Sequence, residues 1–270
     1  MSLFKYDSNN KFQRWARSLV IVIVSLCLFV LVWWMIAEAL NFRTIPTPQA
    51  TLEALANLIQ NGDRSTGLTL GDYIVSSLLT FVKGFLLAAV VAIPLGLLLG
   101  YVKPIRELAS PVIEVLRPIA PIAWAPIFIY TPALGYEWGP ALVVFMGIVF
   151  PVLTNTIFGV QRIDSAWIDA SKTLGASSLQ IFVKVVFPAT VPYILNGIKV
   201  GLGVGWMCIV AAELYAPPLG GIGFFLTNAA SNGQWAMVYA GLIIIAILGL
   251  LTTGVAEQIS KRISKRMGME

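Results

Sequence analysis

Residues 73–101 read YIVSSLLTFVKGFLLAAVVAIPLGLLLGY, a run that is apolar except for Lys83 and a few small polar residues. About 20 apolar residues in a helix are enough to cross the roughly 30 Å hydrocarbon core of a bilayer. Comparable runs occupy residues 18–40, 108–130, 140–160, 191–214 and 236–256. The sequence therefore predicts an all-α, polytopic integral membrane protein with about six transmembrane helices.

The composition of the whole chain agrees with this pattern. Of its 270 residues, 58% are hydrophobic and 11% are charged, and its mean hydropathy of +0.84 lies outside the usual range of soluble domains. The first run is longer than the roughly 7 to 15 residues of a signal-peptide core, so we expect a membrane helix there. The triplet Ala37-Glu38-Ala39 fits a cleavage site and keeps a cleaved leader as the alternative. No repeat or low-complexity linker divides the chain, so we expect a single domain.

Residue usage excludes most catalytic and metal-binding arrangements. The chain has no histidine, which removes Ser-His-Asp and Cys-His nucleophiles and imidazole ligands. Cys27 and Cys208 lie in separate apolar runs and form no C-x-x-C pair, so we expect neither a metal site nor a disulfide framework. The net charge is +5. Because the bases flank hydrophobic runs, this charge indicates topology and not nucleic-acid binding.

The placement of the basic residues predicts the orientation. Six spans put both termini on one side, and most Lys and Arg residues lie in the connections on that side. The connections on the other side carry only Arg43 and Arg64. Because cytoplasmic loops are enriched in these residues, both termini are expected to be cytoplasmic, N-in and C-in. The longest cytoplasmic connection is then residues 161–190.

That connection carries a pattern typical of a short amphipathic helix. Four apolar residues recur at helical spacing: Ile163, Trp167, Ala170 and Leu174. Gly175 stands where a left-handed residue ends a helix, and Ser177 or Ser178 can cap a second one. Pro188 is expected to close that second helix. Residues 163–188, named the elbow below, are therefore predicted to form a helix-turn-helix at the cytoplasmic surface. Periodicity alone is more typical of an ordinary interfacial loop, which is the alternative.

The spacing within the elbow resembles the cytoplasmic signature of ABC-importer permeases. That signature is a Glu-Ala-Ala triplet, a Gly four residues after its last Ala, and an apolar-x-Leu-Pro ending. Here it reads Asp169-Ala170-Ser171, Gly175 and Val185-Val186-Phe187-Pro188. Asp for Glu, Ser for the second Ala and Phe for Leu are departures that conserve size or charge. The resemblance extends over nearly the whole chain and is closest to the nitrate, sulfonate, taurine and bicarbonate branch; it is also carried by residues 116–126, 209–213 and 220–223.

The resemblance implies that residues 1–270 form one permease domain of an ATP-driven importer. In that family the elbow is a coupling helix that docks on a separate ATP-hydrolysing subunit. The coupling residues so implied are Asp169, Ala170, Ser171, Lys172, Leu174, Gly175, Ala176 and Pro188. The chain has no G-x-x-x-x-G-K-[ST] loop. It is therefore expected to be non-catalytic and to hold no cofactor, with ATP and Mg bound by the partner ATPase.

The same resemblance implies the partners and the location. These are two ATPase subunits, a second permease copy that forms a homodimer or a different permease, an extracytoplasmic substrate-binding protein, and the lipid of the cell inner (plasma) membrane. The implied function is import of a small anion of the nitrate, bicarbonate, sulfonate or taurine class by alternating access. An organic or vitamin-precursor substrate remains an alternative. The second alternative is a secondary transporter or channel, which would more often show buried carboxylates for ion coupling.

Polar and helix-breaking residues within the apolar runs are the candidates for the transport pathway. Ionisable groups at membrane depth usually face a wet cavity or pair with one another; here they are Lys83, Glu114, Arg117, Lys199 and Glu213. Several prolines predict a broken third span, which is tolerated where it lines protein or a cavity: Pro118, Pro121 and Pro126. The predicted pathway residues are Arg117, Pro121, Trp124, Asn155 and Glu213.

Each pathway residue has a structural alternative. Arg117 could neutralise Glu114 three residues earlier on the same helix, and Glu213 could pair with a base. Trp124 could belong to a core or an aromatic belt, and Asn155 could bond between helices. Close helix packing is predicted at a G-x-x-x-G-x-x-x-G face made by Gly197, Gly201 and Gly205.

Overall fold

A computed structural model describes residues 11–215 and 220–266, and every regular element within these ranges is helical. The first half contains α1 (Lys11–Leu40), α2 (Pro48–Asn61), α3 (Leu70–Tyr101), α4 (Lys103–Leu116) and, after a short 3₁₀ turn at Pro121–Trp124, α5 (Ala125–Tyr130). The second half contains α6 (Gly135–Gln161), α7 (Ser165–Thr173), α8 (Ser178–Ile181), a π-helical segment at Phe182–Val186, α9 (Phe187–Glu213), α10 (Ile222–Ser231) and α11 (Trp235–Arg266). The all-α prediction is confirmed.

Five of these helical stretches are long and apolar enough to cross a membrane. They are Leu19–Leu40, Leu70–Tyr101, Glu137–Gln161, Ser178–Glu213 and Trp235–Lys265. A sixth span is available if Lys103–Leu116 and Pro121–Tyr130, which meet at 87°, are counted as one broken crossing. The prediction of about six spans is confirmed.

Glycine contacts show how the central helices run. A Cβ placed on Gly84 of α3 would touch Val144 of α6, and one on Gly100 would touch Val160. Both residue numbers rise together, so α3 and α6 are parallel. A parallel pair requires the chain to cross back between the end of α3 and the start of α6. The broken span supplies that crossing.

Packing along the broken span agrees with this topology. Only Val102 separates the end of α3 from the start of α4. At the other end of the broken span, Ala125 and Ile129 of α5 are buried against Val143, near the start of α6. The third span, predicted at residues 108–130, is longer than expected because it begins at Lys103, and the predicted break is confirmed after Leu116. Pro118 explains the break, because proline has no N–H to donate and its ring crowds the carbonyl four residues earlier.

The fifth span corrects a second prediction. Pro188 does not close a short helix; instead α8, the π-helical segment and α9 follow one another without a gap from Ser178 to Glu213. In the π-helical segment the Phe187 N–H bonds to the Phe182 carbonyl, five residues back. Such a turn moves the hydrogen bond from the fourth to the fifth preceding residue. The helix therefore continues past Pro188, although this residue has no N–H to donate.

Three helices form the centre of the bundle, and two lie at its edge. Leu99 of α3, Val152 of α6 and Ile209 of α9 belong to one buried cluster. By contrast, no residue in the most apolar stretch of α1 is buried within the chain. α1 contacts the rest of the chain mainly through Trp33, which donates to the Pro46 carbonyl at 3.1 Å and stacks on Tyr239. None of the residues of α4 is buried. The centre is therefore the part with the most internal packing.

Candidate functional site

The elbow begins immediately below the bundle, with only three residues between α6 and α7. The Asp164 carboxylate caps α7 by accepting from the Ala166 N–H at 2.9 Å, which satisfies a backbone donor that the first turn leaves free. On the outward side of α7, Lys172 pairs with Asp169 at 3.1 Å, and both side chains are largely exposed. This pair lies three residues apart and contributes little to stability.

A glycine-dependent turn joins the two helices of the elbow. Gly175 has φ of +79°, in the left-handed region that few side chains tolerate. Its N–H donates to the Lys172 carbonyl at 2.9 Å, and the Ala176 N–H donates to the Ser171 carbonyl at 3.0 Å. These two bonds are the Schellman pattern that closes a helix. The predicted left-handed cap at Gly175 is confirmed.

The second helix of the elbow has a complete capping box. The Ser177 hydroxyl accepts from the Gln180 N–H at 3.3 Å, and the Gln180 side chain accepts from the Ser177 N–H at 2.8 Å. Of the two candidate caps, Ser177 is therefore the one used. With both helices capped and a fixed turn between them, the elbow is a stiff unit.

The faces of the elbow differ from the expected arrangement. Ile163 and Ile168 turn toward a buried cluster that includes Val160. Trp167 and Leu174, which share the predicted apolar stripe, are 59% and 87% exposed. Sequence periodicity located the apolar residues but not the direction in which they point. The elbow consequently presents large apolar side chains outward, next to the Asp169–Lys172 pair.

A groove separates the elbow from the bundle. It has a volume of about 890 Å³ and is lined by residues that include Arg162, Trp167, Ala170, Lys184, Pro188 and Tyr193. The Arg162 guanidinium lies over the Phe158 ring, 4.8 Å from its centroid. Pro188, predicted as a coupling residue, thus lies in the wall of the groove at the base of α9.

Arg117 lies at the bend of the broken span. It is the C-cap of α4, and both Arg117 and Glu114 are exposed. Among the described residues neither side chain takes part in an ion pair, so the alternative in which they neutralise each other is not formed. Arg117 is left as a cation at the break.

The other intramembrane cations have carboxylate partners. Lys83 of α3 pairs with Glu137 at the start of α6 at 3.3 Å. Lys199 of α9 pairs with Glu257 of α11 at 3.1 Å, and Lys261 occupies the other oxygen of the same carboxylate at 3.0 Å. These contacts give both lysines a structural role that Arg117 lacks.

Trp124 and Pro121 lie beside Arg117 in the sequence of the bend. Pro121 opens the 3₁₀ turn, and the Trp124 ring stacks on Phe128 with centroids 5.9 Å apart. The Trp124 Nε1–H is buried and has no acceptor among the described residues. A buried N–H without a partner is uncommon and points to a missing acceptor.

Asn155 lies at a contact between two central helices. Its side-chain N–H donates to the Pro151 carbonyl at 2.8 Å, and its oxygen accepts from Asn196 of α9 at 2.9 Å. The residue therefore bonds between helices, in the manner of polar residues in membrane bundles. This contact does not involve the bend that carries Arg117.

Glu213 lies at the end of α9 and is only 5% exposed. The Ser77 hydroxyl donates to its Oε1 at 2.7 Å, and the Gly223 N–H donates to its Oε2 at 2.8 Å. Ser77 in turn accepts from the Ile222 N–H at 2.9 Å. A Cβ on Gly221 would overlap the Glu213 carboxyl group. The carboxylate thus fastens the start of α10 to α3 and α9, and no described base pairs with it.

In the sequence, the run at residues 220–223 indicates one side of this network. Nothing in the sequence identifies Ser77 as the other partner of Glu213. Ser77 and Glu213 are 136 positions apart, so no local pattern links them. The far end of α10 is held separately, because Asn228 donates to the Ser65 hydroxyl at 2.6 Å. Both ends of α10 are therefore fixed.

Asp63 supports that second attachment. It accepts from the Ser65 N–H at 2.8 Å and from the Tyr73 hydroxyl at 3.0 Å. Burial disfavours the charged carboxylate, but the hydrogen bonds from Ser65 and Tyr73 outweigh burial and hold the pKa of Asp63 below its ordinary value. The loop between α2 and α3 is thus ordered around an ionised carboxylate.

The glycine face on α9 packs within this chain. A Cβ on Gly197 would lie 2.9 Å from the Asn155 Cβ, and Cβ atoms on Gly201 and Gly205 would lie 2.9 and 2.8 Å from side-chain atoms of Ile148. All three glycines face α6. Their small size allows α6 and α9 to approach closely.

Comparisons with known proteins agree with this arrangement. A family model described as "binding-protein-dependent transport system inner membrane component" matches residues 92–265. The chain is 40% identical to a putative ABC transporter permease protein of Methanocaldococcus jannaschii, over 87% of each chain. It is 35% identical to a nitrate import permease protein of Synechocystis, over 84% of this chain and 83% of that one. It is 32% identical to a taurine transport system permease protein of Escherichia coli, over 92% and 90%.

Solved structures show the same fold at low sequence identity. A chain of the inward-facing MetNI methionine ABC transporter matches with a TM-score of 0.63 and 17% identity, over 74% of this chain and 99% of that one. A chain of a bacterial alginate ABC transporter, solved in complex with a periplasmic protein that holds an alginate pentasaccharide, matches with a TM-score of 0.60 and 17% identity, over 90% and 95%.

Proposed function

The chain belongs to the family of binding-protein-dependent transport system inner membrane components, and from that premise we propose that it is the permease through which an ATP-driven importer moves a small anion. It is a multi-pass inner-membrane subunit of a transporter. The observation that carries the proposal is the elbow: a capped, stiff pair of helices directly below the bundle, with Trp167 and Leu174 exposed. Such a surface suits docking, because exposed apolar side chains beside charged ones are typical of interfaces.

The elbow is proposed to couple this chain to a separate ATPase. Two ATPase subunits bind ATP and Mg²⁺ and dock against the surface formed by residues 169–176. Their closure displaces the elbow, and the displacement reaches the bundle through the last turn of α6 and the base of α9 near Pro188. This chain itself supplies no catalytic residue.

The bend of the broken span is the proposed contact for the substrate. Arg117 has no carboxylate partner among the described residues, and the buried Trp124 Nε1–H has no acceptor there. A cation and a free N–H donor close together in sequence suit an anion with several acceptor oxygens. The substrate is therefore proposed to be of the nitrate, bicarbonate, sulfonate or taurine class, in line with the named relatives.

A second copy of this chain and an external binding protein complete the proposed importer. Exposed apolar side chains run along α4, where Leu108, Val112 and Val115 lie at helical spacing. These side chains suit contact with lipid or with a second permease, so that a homodimer would enclose one pathway. The binding protein would deliver substrate on the side of the Asp63 loop.

The proposed topology places both termini in the cytoplasm. It is supported by the basic residues at one end of the bundle and by the parallel course of α3 and α6. Single cysteines at Lys103 and Ala133, in a background with both native cysteines replaced by serine, should react with a membrane-impermeant maleimide from opposite sides. Lys103→Cys should be labelled only from the cytoplasm. Labelling of both from one side would show that α4 and α5 enter and leave the same face, and would contradict the six-span topology.

Uptake in proteoliposomes tests the function. The chain is reconstituted with its cognate ATPase and binding protein, with ATP on the ATPase side, and supplied with labelled nitrate, bicarbonate or taurine. We expect ATP-dependent uptake of one of them, and Arg117→Gln should raise the substrate concentration needed for half-maximal uptake more than Lys199→Gln does, because Lys199 is already paired. Uptake of none of the three, or equal effects of the two variants, would contradict the assignment.

A further inference from the structure

Arg106 lies near the start of α4 and reaches the ends of two other helices. Its Nη1 donates to the Gly100 carbonyl, in the last turn of α3, at 3.1 Å. It also faces the Gln161 side chain, at the end of α6. A guanidinium only donates, so we assign the Gln161 amide with its oxygen toward Arg106. In that orientation the oxygen accepts from Nη1 at 3.0 Å and from Nε at 3.1 Å.

The electrostatics of this position favour a cation. The last four carbonyls of a helix have no partner within it, and a helix carries partial negative charge at its C-terminal end. Because α3 and α6 are parallel, both of these ends lie on one side of the bundle, and Gly100 packs directly against Val160. Arg106 is therefore bonded at the point where two helix ends of the same polarity meet.

The position also lies between the elbow and the broken span. Gln161 is the last residue of α6, and Asp164 already caps the first helix of the elbow. At the other end of α4 is the bend with Arg117. No residue of α4 is fully buried, although Ala109 and Ile113 pack against the central core. The hydrogen bonds of Arg106 add polar contacts between α4 and the end of α6, at the base of the elbow.

We propose that Arg106 is a positioning residue that transmits displacement of the elbow to the broken span, through its bonds to Gln161 and Gly100. This inference rests on the proposed function of the elbow in coupling. When the elbow moves, the end of α6 moves with it, and Arg106 makes α4 follow. Without these bonds the ATPase still drives the elbow, but α4 and the bend respond less to it.

Lys103 provides a matched control. It carries the same charge and lies in the first turn of the same helix, and within the described part of the chain its one ion pair is with Glu107 of α4 at 3.7 Å. A loss of basic charge that disturbed topology would affect Lys103→Met and Arg106→Met equally. A role in transmission affects Arg106 alone.

The experiment measures the number of anions imported per ATP hydrolysed. The permease, its ATPase and its binding protein are reconstituted together, and nitrate uptake and phosphate release are followed in the same vesicles, with taurine and bicarbonate in parallel. We expect Arg106→Met to lower the ratio about fivefold, the lower end of typical coupling effects, and Lys103→Met to leave it unchanged. A purely structural role would lower uptake and hydrolysis together and leave the ratio constant.

Two further variants keep the test decisive if Arg106→Met assembles poorly. Arg106→Lys retains the charge but not the two-pronged geometry, and Gln161→Met removes the acceptor; both should lower the ratio. The double variant should be no worse than Arg106→Met alone, because Arg106→Met already removes the bond that Gln161→Met removes.

The outcomes separate this inference from the proposed function. If the wild-type complex couples hydrolysis to uptake and Arg106→Met couples equally well, or if its effect simply adds to that of Gln161→Met, the inference is wrong while the elbow assignment stands. If the wild-type complex hydrolyses ATP without importing any of the three substrates, the proposed importer function is wrong, and this inference, which rests on it, is wrong too.

Discussion

At the scale of single residues, Gly175 is required for its backbone and not for its size. Its φ is +79°, yet a Cβ placed there would meet no atom of the described residues within 4 Å. A larger side chain would therefore cause strain without a clash. The effect of a substitution depends only on how well the new residue tolerates the left-handed region.

Valine and asparagine have side chains of similar size, so substituting each at Gly175 tests whether backbone strain is the cause. Gly175→Val should weaken the turn, because the left-handed conformation costs a residue with a Cβ about 1–2 kcal/mol, whereas Asn visits that region more readily. We expect substrate-stimulated ATPase activity to fall more in Gly175→Val than in Gly175→Asn, with the thermal unfolding of the bundle unchanged in both.

Gly254→Ala is the control for that comparison. Gly254 lies in α11 and is equally open, but its backbone is helical, so alanine should be neutral or slightly stabilising there. Equal stimulation in Gly175→Val and the wild type would contradict the requirement for a fixed turn.

Residue-scale features were predictable from sequence where they are local. The left-handed cap at Gly175 follows from its neighbours within a few positions, and the same local pattern narrows the next cap to Ser177 or Ser178. The bond between Ser77 and Glu213 joins residues 136 positions apart, and the bond between Arg106 and Gln161 depends on α3 and α6 being parallel. Neither was predictable, because a distant partner leaves no local signal in one sequence.

At the scale of helices, the sequence predicted which segments cross the membrane more reliably than how they end. Apolar length is a property of the segment alone, and the six predicted runs correspond to helices. The effect of proline depends on its surroundings. Pro118 accompanies a true break, whereas Pro188 lies in a helix that continues past it because a π-helical turn precedes it. Both look alike in sequence.

Close packing of α9 on α6 gives a prediction at this scale. Gly201 faces Ile148 so closely that a Cβ would lie 2.9 Å from its methyl group, whereas Gly203 on the same helix has nothing within 4 Å. Gly201→Leu should lower the free energy of unfolding by about 1–3 kcal/mol through overpacking, while Gly203→Leu should have little effect. Thermal unfolding of the purified protein in detergent measures both. Similar losses in the two variants would contradict the packing described for this face.

At the scale of the whole molecule, the chain combines a packed centre with loosely held edges. α3, α6 and α9 share one core, and α10 is fastened at both ends by the Glu213 and Ser65 contacts. α1 and α4 contribute few buried side chains. In an alternating-access cycle we expect the centre to move as a body and α4, with the bend at Arg117, to move relative to it.

The central claim is that this chain is driven by a separate ATPase through the elbow. Asp169 is exposed on α7, and among residues 11–215 and 220–266 it forms an ion pair only with Lys172 of the same helix, so reversing its charge should disturb docking and not folding. Glu53 is exposed on α2, outside the elbow, and provides a control charge reversal. Substrate-stimulated ATP hydrolysis is measured for Asp169→Arg, Glu53→Arg and the wild type in the same reconstituted complex.

We expect Asp169→Arg to insert normally and to lose stimulated hydrolysis, while Glu53→Arg keeps it. Full stimulation in Asp169→Arg, with substrate still imported, would contradict the coupling role of the elbow.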